Sequence, residues 1–236
     1  MSGSFITPEL RARIRGLMTP VAVGLGRLGL SPNALTVIGF LIAVVAAAAA
    51  AAQLWLPAGL LVIFGGVFDL FDGALARATG RVSKLGAFMD STFDRWGEGV
   101  VYIGIVTGCL GSGFQLGAVL ATAALSSAFM VSYTRAKSES LGFVPGSGMA
   151  NVGLAPREVR LVILTAGLVL AGLQGTANPL LVLHGITLPG GIVVNAPWQG
   201  EIWLLWSLLL IAVLATITTI QRIVATIGQA GKAGTD

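Results

Sequence analysis

Six long apolar segments, each bounded by turn signals, restrict what this chain can fold into. A helix needs about 20 residues to cross the hydrocarbon of a bilayer, and every segment reaches that length. Charged residues form only 10% of the chain, whereas soluble domains contain about 25%. We therefore predict an all-α integral membrane protein with six transmembrane helices. The segments cover approximately residues 33–53, 56–79, 84–110, 114–140, 157–176 and 199–227.

An amphipathic helix is predicted ahead of these segments. Between residues 8 and 28, apolar side chains recur at steps of three and four, and Arg11, Arg13 and Arg15 interleave with them. Such a segment is too charged to span a bilayer, and we expect it to lie in the membrane interface. Pro20 should bend or divide it. The predicted organisation is an N-terminal cytoplasmic amphipathic helix region at 1–30, a six-helix membrane domain at 31–228 and a cytoplasmic tail at 229–236.

The positions of the basic residues predict the orientation of the spans. All 14 Lys and Arg lie before the first span, in the stretches 77–95 and 135–160, or near the C-terminus. Alternating connections therefore carry the positive charge on one face, which the positive-inside rule assigns to the cytoplasm. We predict a multi-pass protein of the cell membrane with both termini in the cytoplasm. The net charge of +4 indicates this orientation rather than nucleic-acid binding.

Four aspartates interrupt the second and third apolar segments: Asp69, Asp72, Asp90 and Asp94. The first two are spaced i, i+3 and the last two i, i+4, so each pair lies on one helix face. Because few residues join these two segments, we expect them to be antiparallel neighbours whose acidic faces meet. The sequence thus predicts four carboxylates around one small volume.

Such a cluster would be costly without cations, because each intramembrane charge costs about a few kcal/mol and like charges repel. Ligand sets made only of oxygen favour Mg²⁺ or Mn²⁺. Four carboxylates suffice for two ions, an arrangement that clamps a phosphoryl group during in-line displacement. Two other interpretations stay open: salt bridges with neighbouring basic residues, and a proton or cation path through the bilayer.

Small and polar residues beside the aspartates leave room for a ligand. Gly73, Ala76 and Gly86 lie on the helix faces that carry the aspartates. Arg77 lies at the membrane edge, where its guanidinium could bind a diphosphate. Ser83 could donate its hydroxyl to a phosphate or a base.

The spacing D-x2-D-G-x2-A-R-x8-G-x3-D-x3-D resembles the signature of the CDP-alcohol phosphotransferases, and this chain matches every fixed position. Members of that family transfer a group from a CDP-linked lipid to an alcohol and release CMP. The resemblance implies that the four aspartates hold two Mg²⁺ or Mn²⁺ ions, that Asp94 is also the general base for the acceptor hydroxyl, and that the protein is a homodimer. The matched positions are Asp69, Asp72, Gly73, Ala76, Arg77, Gly86, Asp90 and Asp94.

The resemblance also implies where the CDP-linked lipid binds. It points to the small and basic residues of the signature, to Ser83 and to the SPNALT sequence that opens the first span. The expected CDP-lipid-binding residues are Ser31, Pro32, Asn33, Ala34, Gly73, Ala76, Arg77, Ser83 and Gly86.

The signature leaves the acceptor alcohol open, and basic residues of the later spans bear on it. A cluster of cations beside the metal site would suit an acceptor that carries its own phosphate. The basic residues near the cytoplasmic ends of the last three spans resemble those of the family branch that uses inositol phosphate. For each basic residue alone, the other interpretation is that it only flanks the cytoplasmic end of a span. Glycerol 3-phosphate is the alternative acceptor, and a non-catalytic transporter or lipid-binding protein is the alternative of another class. The expected phosphate-binding residues are Arg135, Lys137, Arg157, Arg160 and Arg222.

Overall fold

The computed structural model describes residues 8–143, 152–175, 186–188, 192–194 and 201–233, and these residues are mostly helical. Short turns join the first five helices. The helices within the described residues are α1 Pro8–Arg27, α2 Pro32–Ala51, α3 Trp55–Ala78, α4 Lys84–Gly111, α5 Gln115–Ser140, α6 Arg157–Gly175 and α7 Glu201–Ala233.

Helices α2 to α7 correspond one by one to the six predicted apolar segments. The largest difference is in α7, which continues to Ala233 and so includes most of the predicted tail. Within the described residues, α2, α3, α5 and α7 are long and apolar enough to cross a membrane. Helices α4 and α6 carry more charged side chains in their first halves. The protein is thus an integral membrane protein built from helices.

The six long helices pack as a closed ring in the order α2, α3, α6, α7, α5, α4, which we call the helix ring. Apolar side chains fill its interior, among them the fully buried Ile105, Leu168 and Leu208. Helix α1 packs on the outside against α3, where Ala22 and Leu75 form a smaller core. It is one continuous helix through Pro20, so the predicted division does not occur.

Helices α3 and α4 do not form the direct antiparallel pair that we predicted, because α2 packs against both of them. Small residues allow this close approach. A Cβ on Gly104 of α4 would overlap the carbonyl oxygen of Ala47 in α2, and Gly65 of α3 lies against Ile42. The acidic faces of α3 and α4 therefore meet across a face of α2, which contributes to the site between them.

A short two-stranded sheet is present in the segment that we predicted to be a long loop, so the fold is not exclusively helical. Strands β1 Ile186–Leu188 and β2 Ile192–Val194 pair antiparallel, with Thr187 opposite Val193. β-Branched residues dominate both strands, and they favour extended backbone. The rest of the predicted loop 177–198 lies outside the described residues.

Candidate active site

All four predicted aspartates line one cavity of about 280 Å³, which we call the aspartate cavity. It lies at the end of the helix ring where α2, α4 and α6 begin and α3 ends. Asp72 is only 5% exposed, and the other three aspartates are half-buried. The structure therefore brings the two acidic faces to one place, as the spacing of the aspartates predicted.

Arg157 links carboxylates from two helices in this cavity. Its Nη2 donates to Oδ2 of Asp69 at 2.6 Å, and its Nη1 lies 2.8 Å from Oδ2 of Asp94. Within the described parts of the chain, no three Asp, Glu, His or Cys side chains are close enough to share a metal ion. The residue types nevertheless fit a divalent cation, because four carboxylates lining one cavity form the oxygen-only ligand set that Mg²⁺ and Mn²⁺ prefer.

Thr36 is a site residue that the sequence prediction missed. Its hydroxyl donates to Oδ2 of Asp72 at 2.6 Å, and both side chains are buried. The backbone N–H of Gly73 donates to Oδ1 of the same carboxylate. Both oxygens of Asp72 are thus engaged, which fixes its orientation. In the sequence, Thr36 stands out only as a hydroxyl residue in an apolar span, one turn after the SPN sequence at residues 31–33. Its partner becomes visible only when α2 is packed against α3.

Two helix starts with serine caps lie side by side at the end of the helix ring that holds the aspartate cavity, although their capping residues do not line it. Ser31 accepts from the N–H of Ala34 at 3.1 Å and begins α2, while Ser83 accepts from the N–H of Gly86 at 3.0 Å and begins α4. A Cβ on Gly86 would contact the side-chain oxygen of Asn33 at 3.5 Å, so the two starts face each other. Helix N-termini favour anions, and each serine keeps its hydroxyl hydrogen for a ligand.

Arg77 lies at the open side of the aspartate cavity. Its side chain is exposed, and its guanidinium lies over Gly73, where a Cβ would come within 3.2 Å of Nη1. Both residues line the cavity, whereas Ala76 and Pro32 are half-buried and do not. The guanidinium is therefore in position for a phosphate that enters the cavity.

Of the five basic residues expected at the acceptor phosphate, all described in the structure, Arg157 is the one that lines the aspartate cavity. Arg160 is 2% exposed and lines a deeper cavity of about 70 Å³, which we call the inner cavity. Asp69, Asp94 and Arg157 also line the inner cavity, so the two cavities adjoin at these residues.

The other three basic residues lie around α5 and α7. Arg222 is 4% exposed and donates to the carbonyl oxygens of Val131 and Val152, which joins α7 to α5 and to the segment before α6. Arg135 and Lys137 are exposed near the end of α5. Arg222 is close enough to Arg135 for their charges to interact. These residues form a basic region beside the aspartate cavity without lining it.

Glu98 connects three helices beneath the aspartates. Its Oε1 accepts from Nε and Nη2 of Arg160 at 3.1 and 3.0 Å. Its Oε2 accepts from Nη1 of Arg95 at 2.5 Å, and the same Nη1 donates to Oγ of Ser132 at 3.0 Å. The i, i+4 spacing from Asp94 places Glu98 on the same face of α4, which is the sequence signal for this residue.

Comparisons with known proteins agree with these features. A family model described as CDP-alcohol phosphatidyltransferase matches residues 29–194. The archaetidylinositol phosphate synthase of Pyrococcus horikoshii is 37% identical over 156 residues, which cover 66% of this chain and 78% of that protein.

Two solved structures of the phosphatidylinositol phosphate synthase of Mycobacterium tuberculosis are also similar, each with 27% identity. The structure with CDP-DAG bound gives a TM-score of 0.70 and covers 89% of this chain and 92% of that one. The structure in complex with manganese and citrate gives a TM-score of 0.69 and covers 89% and 88%.

Proposed function

The chain belongs to the CDP-alcohol phosphatidyltransferase family, and we propose that it transfers a phosphatidyl-type group from a CDP-linked lipid to inositol phosphate and releases CMP. It is a transferase of phospholipid biosynthesis. The observation that carries the proposal is that the four aspartates of the family signature line one cavity together with Arg157. Similarity to synthases named for inositol phosphate lipids favours inositol phosphate over glycerol 3-phosphate as the acceptor.

The four aspartates are the proposed ligands of two divalent cations, Mg²⁺ or Mn²⁺. When bound, the ions would neutralise the diphosphate and the charge that develops on the leaving phosphate. Thr36 supports this role because it holds the carboxylate of Asp72 in one orientation. The manganese in the related M. tuberculosis structure supports the type of ion. The assigned ligands are Asp69, Asp72, Asp90 and Asp94.

Asp94 is the proposed general base. It takes the proton of the acceptor hydroxyl, and the hydroxyl oxygen attacks the β-phosphorus of the CDP-linked lipid. The bond between that phosphorus and the bridging oxygen breaks, and CMP leaves with the electron pair. For this step Asp94 exchanges its contact with Arg157 for the hydroxyl. Arg157 then lies beside the acceptor, where its guanidinium can bind the acceptor phosphate.

The starts of α2 and α4 are the proposed binding site for the CDP part of the lipid. Two helix N-termini supply backbone N–H groups and serine hydroxyls toward the diphosphate. Arg77 over Gly73 supplies a guanidinium at the cavity opening. The proposed contacts are Ser31, Pro32, Asn33, Ala34, Gly73, Ala76, Arg77, Ser83 and Gly86.

The acceptor phosphate is proposed to enter through the basic region beside the aspartate cavity. Arg157 is its direct partner, because it lines the cavity and reaches Asp94. Arg160 and Arg222 are buried, and we assign them to the inner wall of the acceptor pocket. Arg135 and Lys137 are exposed and attract the anionic acceptor from solvent.

The helix ring is proposed to cross the cell membrane six times, with the amphipathic region 1–30 in the interface and the membrane domain at 31–228. The site, the tail at 229–236 and both termini then face the cytoplasm, because the basic residues cluster at that end of the helices. Trp203 and Trp206 are exposed near the opposite end, as expected of an interface belt. The family resemblance supports a homodimer.

Acceptor-dependent release of CMP tests the proposed function. The purified protein is incubated with CDP-diacylglycerol and Mg²⁺ or Mn²⁺, and with inositol phosphate, free inositol, glycerol 3-phosphate or serine in parallel. We expect CMP release with inositol phosphate and little with the others. Faster release with glycerol 3-phosphate would identify that alcohol as the acceptor, and no release with any alcohol would contradict the proposed reaction.

A further inference from the structure

Two arginines lie within 4.0 Å of the carboxylate that we assign as the base, and a third lines the same inner cavity. Arg157 contacts Asp94 directly at 2.8 Å. Nη2 of Arg95 lies 4.0 Å from Oδ2 of Asp94. Arg160 lines the inner cavity together with Asp94. Asp94 has to accept a proton and bind a cation in the proposed function. The guanidinium groups of these three arginines therefore compete with the cation for its carboxylate.

Glu98 engages two of these three groups. It accepts three hydrogen bonds from Arg160, and one from Arg95. Arg160 is 2% exposed, so its charge has no access to bulk water and depends on Glu98 and the carbonyl oxygen of Ala155. Removing the partner of a buried charge is strongly destabilising, because the charge is left uncompensated.

The contact between Glu98 and Arg160 crosses the interior of the helix ring. Helix α4 packs against α2 and α5, whereas α6 packs against α3 and α7. The two helices are therefore joined through their side chains, at the deeper Glu98–Arg160 pair and at the Asp94–Arg157 pair one turn nearer the cavity opening. Glu98 thus joins α4 to α6 and holds the guanidinium groups of Arg95 and Arg160.

We propose that Glu98 is a positioning residue that withholds Arg95 and Arg160 from Asp94 and so keeps this carboxylate accessible to a divalent cation. The inference rests on the proposed function of the aspartates as metal ligands. Without Glu98, the two arginines would pair with Asp94, and the cation would have to compete with them. Residues that hold the ligands of a metal typically change its affinity about 10- to 100-fold when they are substituted.

Direct Mn²⁺ binding to the purified protein, followed by the electron paramagnetic resonance signal of free Mn²⁺, tests this proposal. For Glu98→Gln we expect the Mn²⁺ Kd to rise about tenfold or more. Glu139→Gln is the matched control, because Glu139 also accepts from an arginine, Arg135 at 2.9 Å, but at the exposed end of α5. Its Mn²⁺ Kd should equal that of the unmodified protein.

A higher Mn²⁺ Kd in Glu98→Gln could come from arginines that pair with Asp94 or from a general loss of packing. The triple variant Arg95→Met/Glu98→Leu/Arg160→Met distinguishes these two explanations. It removes both competitors together with Glu98, so we expect an Mn²⁺ Kd within about threefold of the unmodified protein, since replacing a whole buried ion cluster with apolar residues is often tolerated. An unchanged Kd in Glu98→Gln, or a Kd still raised about tenfold in the triple variant, overturns the proposal. Where Glu98→Gln does not give folded protein, the triple variant decides alone.

The outcomes separate this inference from the proposed function. An unmodified protein that neither binds Mn²⁺ nor releases CMP contradicts the proposed function itself. An unmodified protein that binds Mn²⁺ and a Glu98→Gln variant with the same Kd contradict the inference alone.

Discussion

Asp94 is the residue at which two proposed roles meet, because one carboxylate serves both as metal ligand and as base. Asp94→Asn keeps the shape and one ligand oxygen but cannot take a proton. We expect CMP release to fall by about 10²- to 10⁴-fold, the range for loss of a general base. Binding of CDP-diacylglycerol should change little, as measured by calorimetry. The Mn²⁺ Kd should rise, because a neutral amide is a weaker ligand than a carboxylate, so turnover is compared at saturating Mn²⁺. Full turnover in this variant would remove Asp94 as the base.

Thr36 gives a second prediction at the residue scale. Thr36→Val removes the hydroxyl that donates to Asp72 at 2.6 Å while keeping the shape of the side chain. A hydrogen bond to a charged group contributes about 1.5–3 kcal/mol, so we expect the Mn²⁺ concentration for half-maximal CMP release to rise about tenfold or more. Thr36→Ser, which keeps the hydroxyl, is the control and should remain close to the unmodified protein. Equal metal requirements for both variants would exclude this role of Thr36.

Arg157 gives a third prediction, because it is the one of the five expected phosphate-binding residues that lines the aspartate cavity. Arg157→Ala should raise the KM for inositol phosphate about tenfold or more at saturating metal, since a bidentate guanidinium contact to the phosphate is lost. The KM for the CDP-linked lipid should change much less. Arg27→Ala, at an exposed arginine at the end of α1, is the matched control. An unchanged acceptor KM in Arg157→Ala would place the acceptor phosphate elsewhere.

At the scale of residues, the sequence predicted which side chains form the site, but it did not predict most of the contacts between them. Fixed spacing places Asp69 with Asp72, and Asp90 with Asp94, on common helix faces, and the aspartate cavity contains all four. The partners of Thr36 and Glu98 lie 36 and 62 positions away in the sequence, so local periodicity carries no information about them. They depend on which helices become neighbours.

At the scale of elements, the apolar segments predicted approximately where the helices begin. In the structure, Ser31 and Ser83 cap α2 and α4. The prediction that α3 and α4 pack directly against each other was wrong, because a short connection between two helices does not require direct packing. The small residues of α2 and α4 decide this order: they allow backbones to approach, which is how helices associate in membranes.

A glycine in this contact gives the prediction at the element scale. A Cβ on Gly104 would overlap the backbone of Ala47, which cannot move without shifting α2. We expect Gly104→Ala to destabilise the protein by about 1–3 kcal/mol through overpacking and to lower the midpoint of thermal unfolding in detergent. Gly228→Ala in α7 is the control, since nothing lies within 4 Å of its added Cβ. It should keep or slightly raise the midpoint, and an equal midpoint in both variants would contradict the close packing of α2 and α4.

At the scale of the whole molecule, the helix ring gives its two ends different chemistry. The aspartate cavity, the capped starts of α2 and α4 and the basic side chains of α5, α6 and α7 lie at one end. The opposite end carries exposed tryptophans and connections without lysine or arginine. A substrate with a charged CDP group and lipid tails fits this polarity, because the charged part can reach the cavity while the tails stay in the bilayer.

The same polarity fixes the expected orientation, and the two ends of α5 test it. Gln115 and Ser140 are exposed at the first and last positions of this helix, which at about 1.5 Å per residue is long enough to cross a bilayer. In a Cys109→Ala background, we expect Gln115→Cys to react with a membrane-impermeant maleimide in intact cells. Ser140→Cys should react only after permeabilisation, because the positive-inside rule places its end in the cytoplasm. Labelling of both variants in denatured protein controls for reactivity, and labelling of Ser140→Cys in intact cells would contradict a cytoplasmic active site.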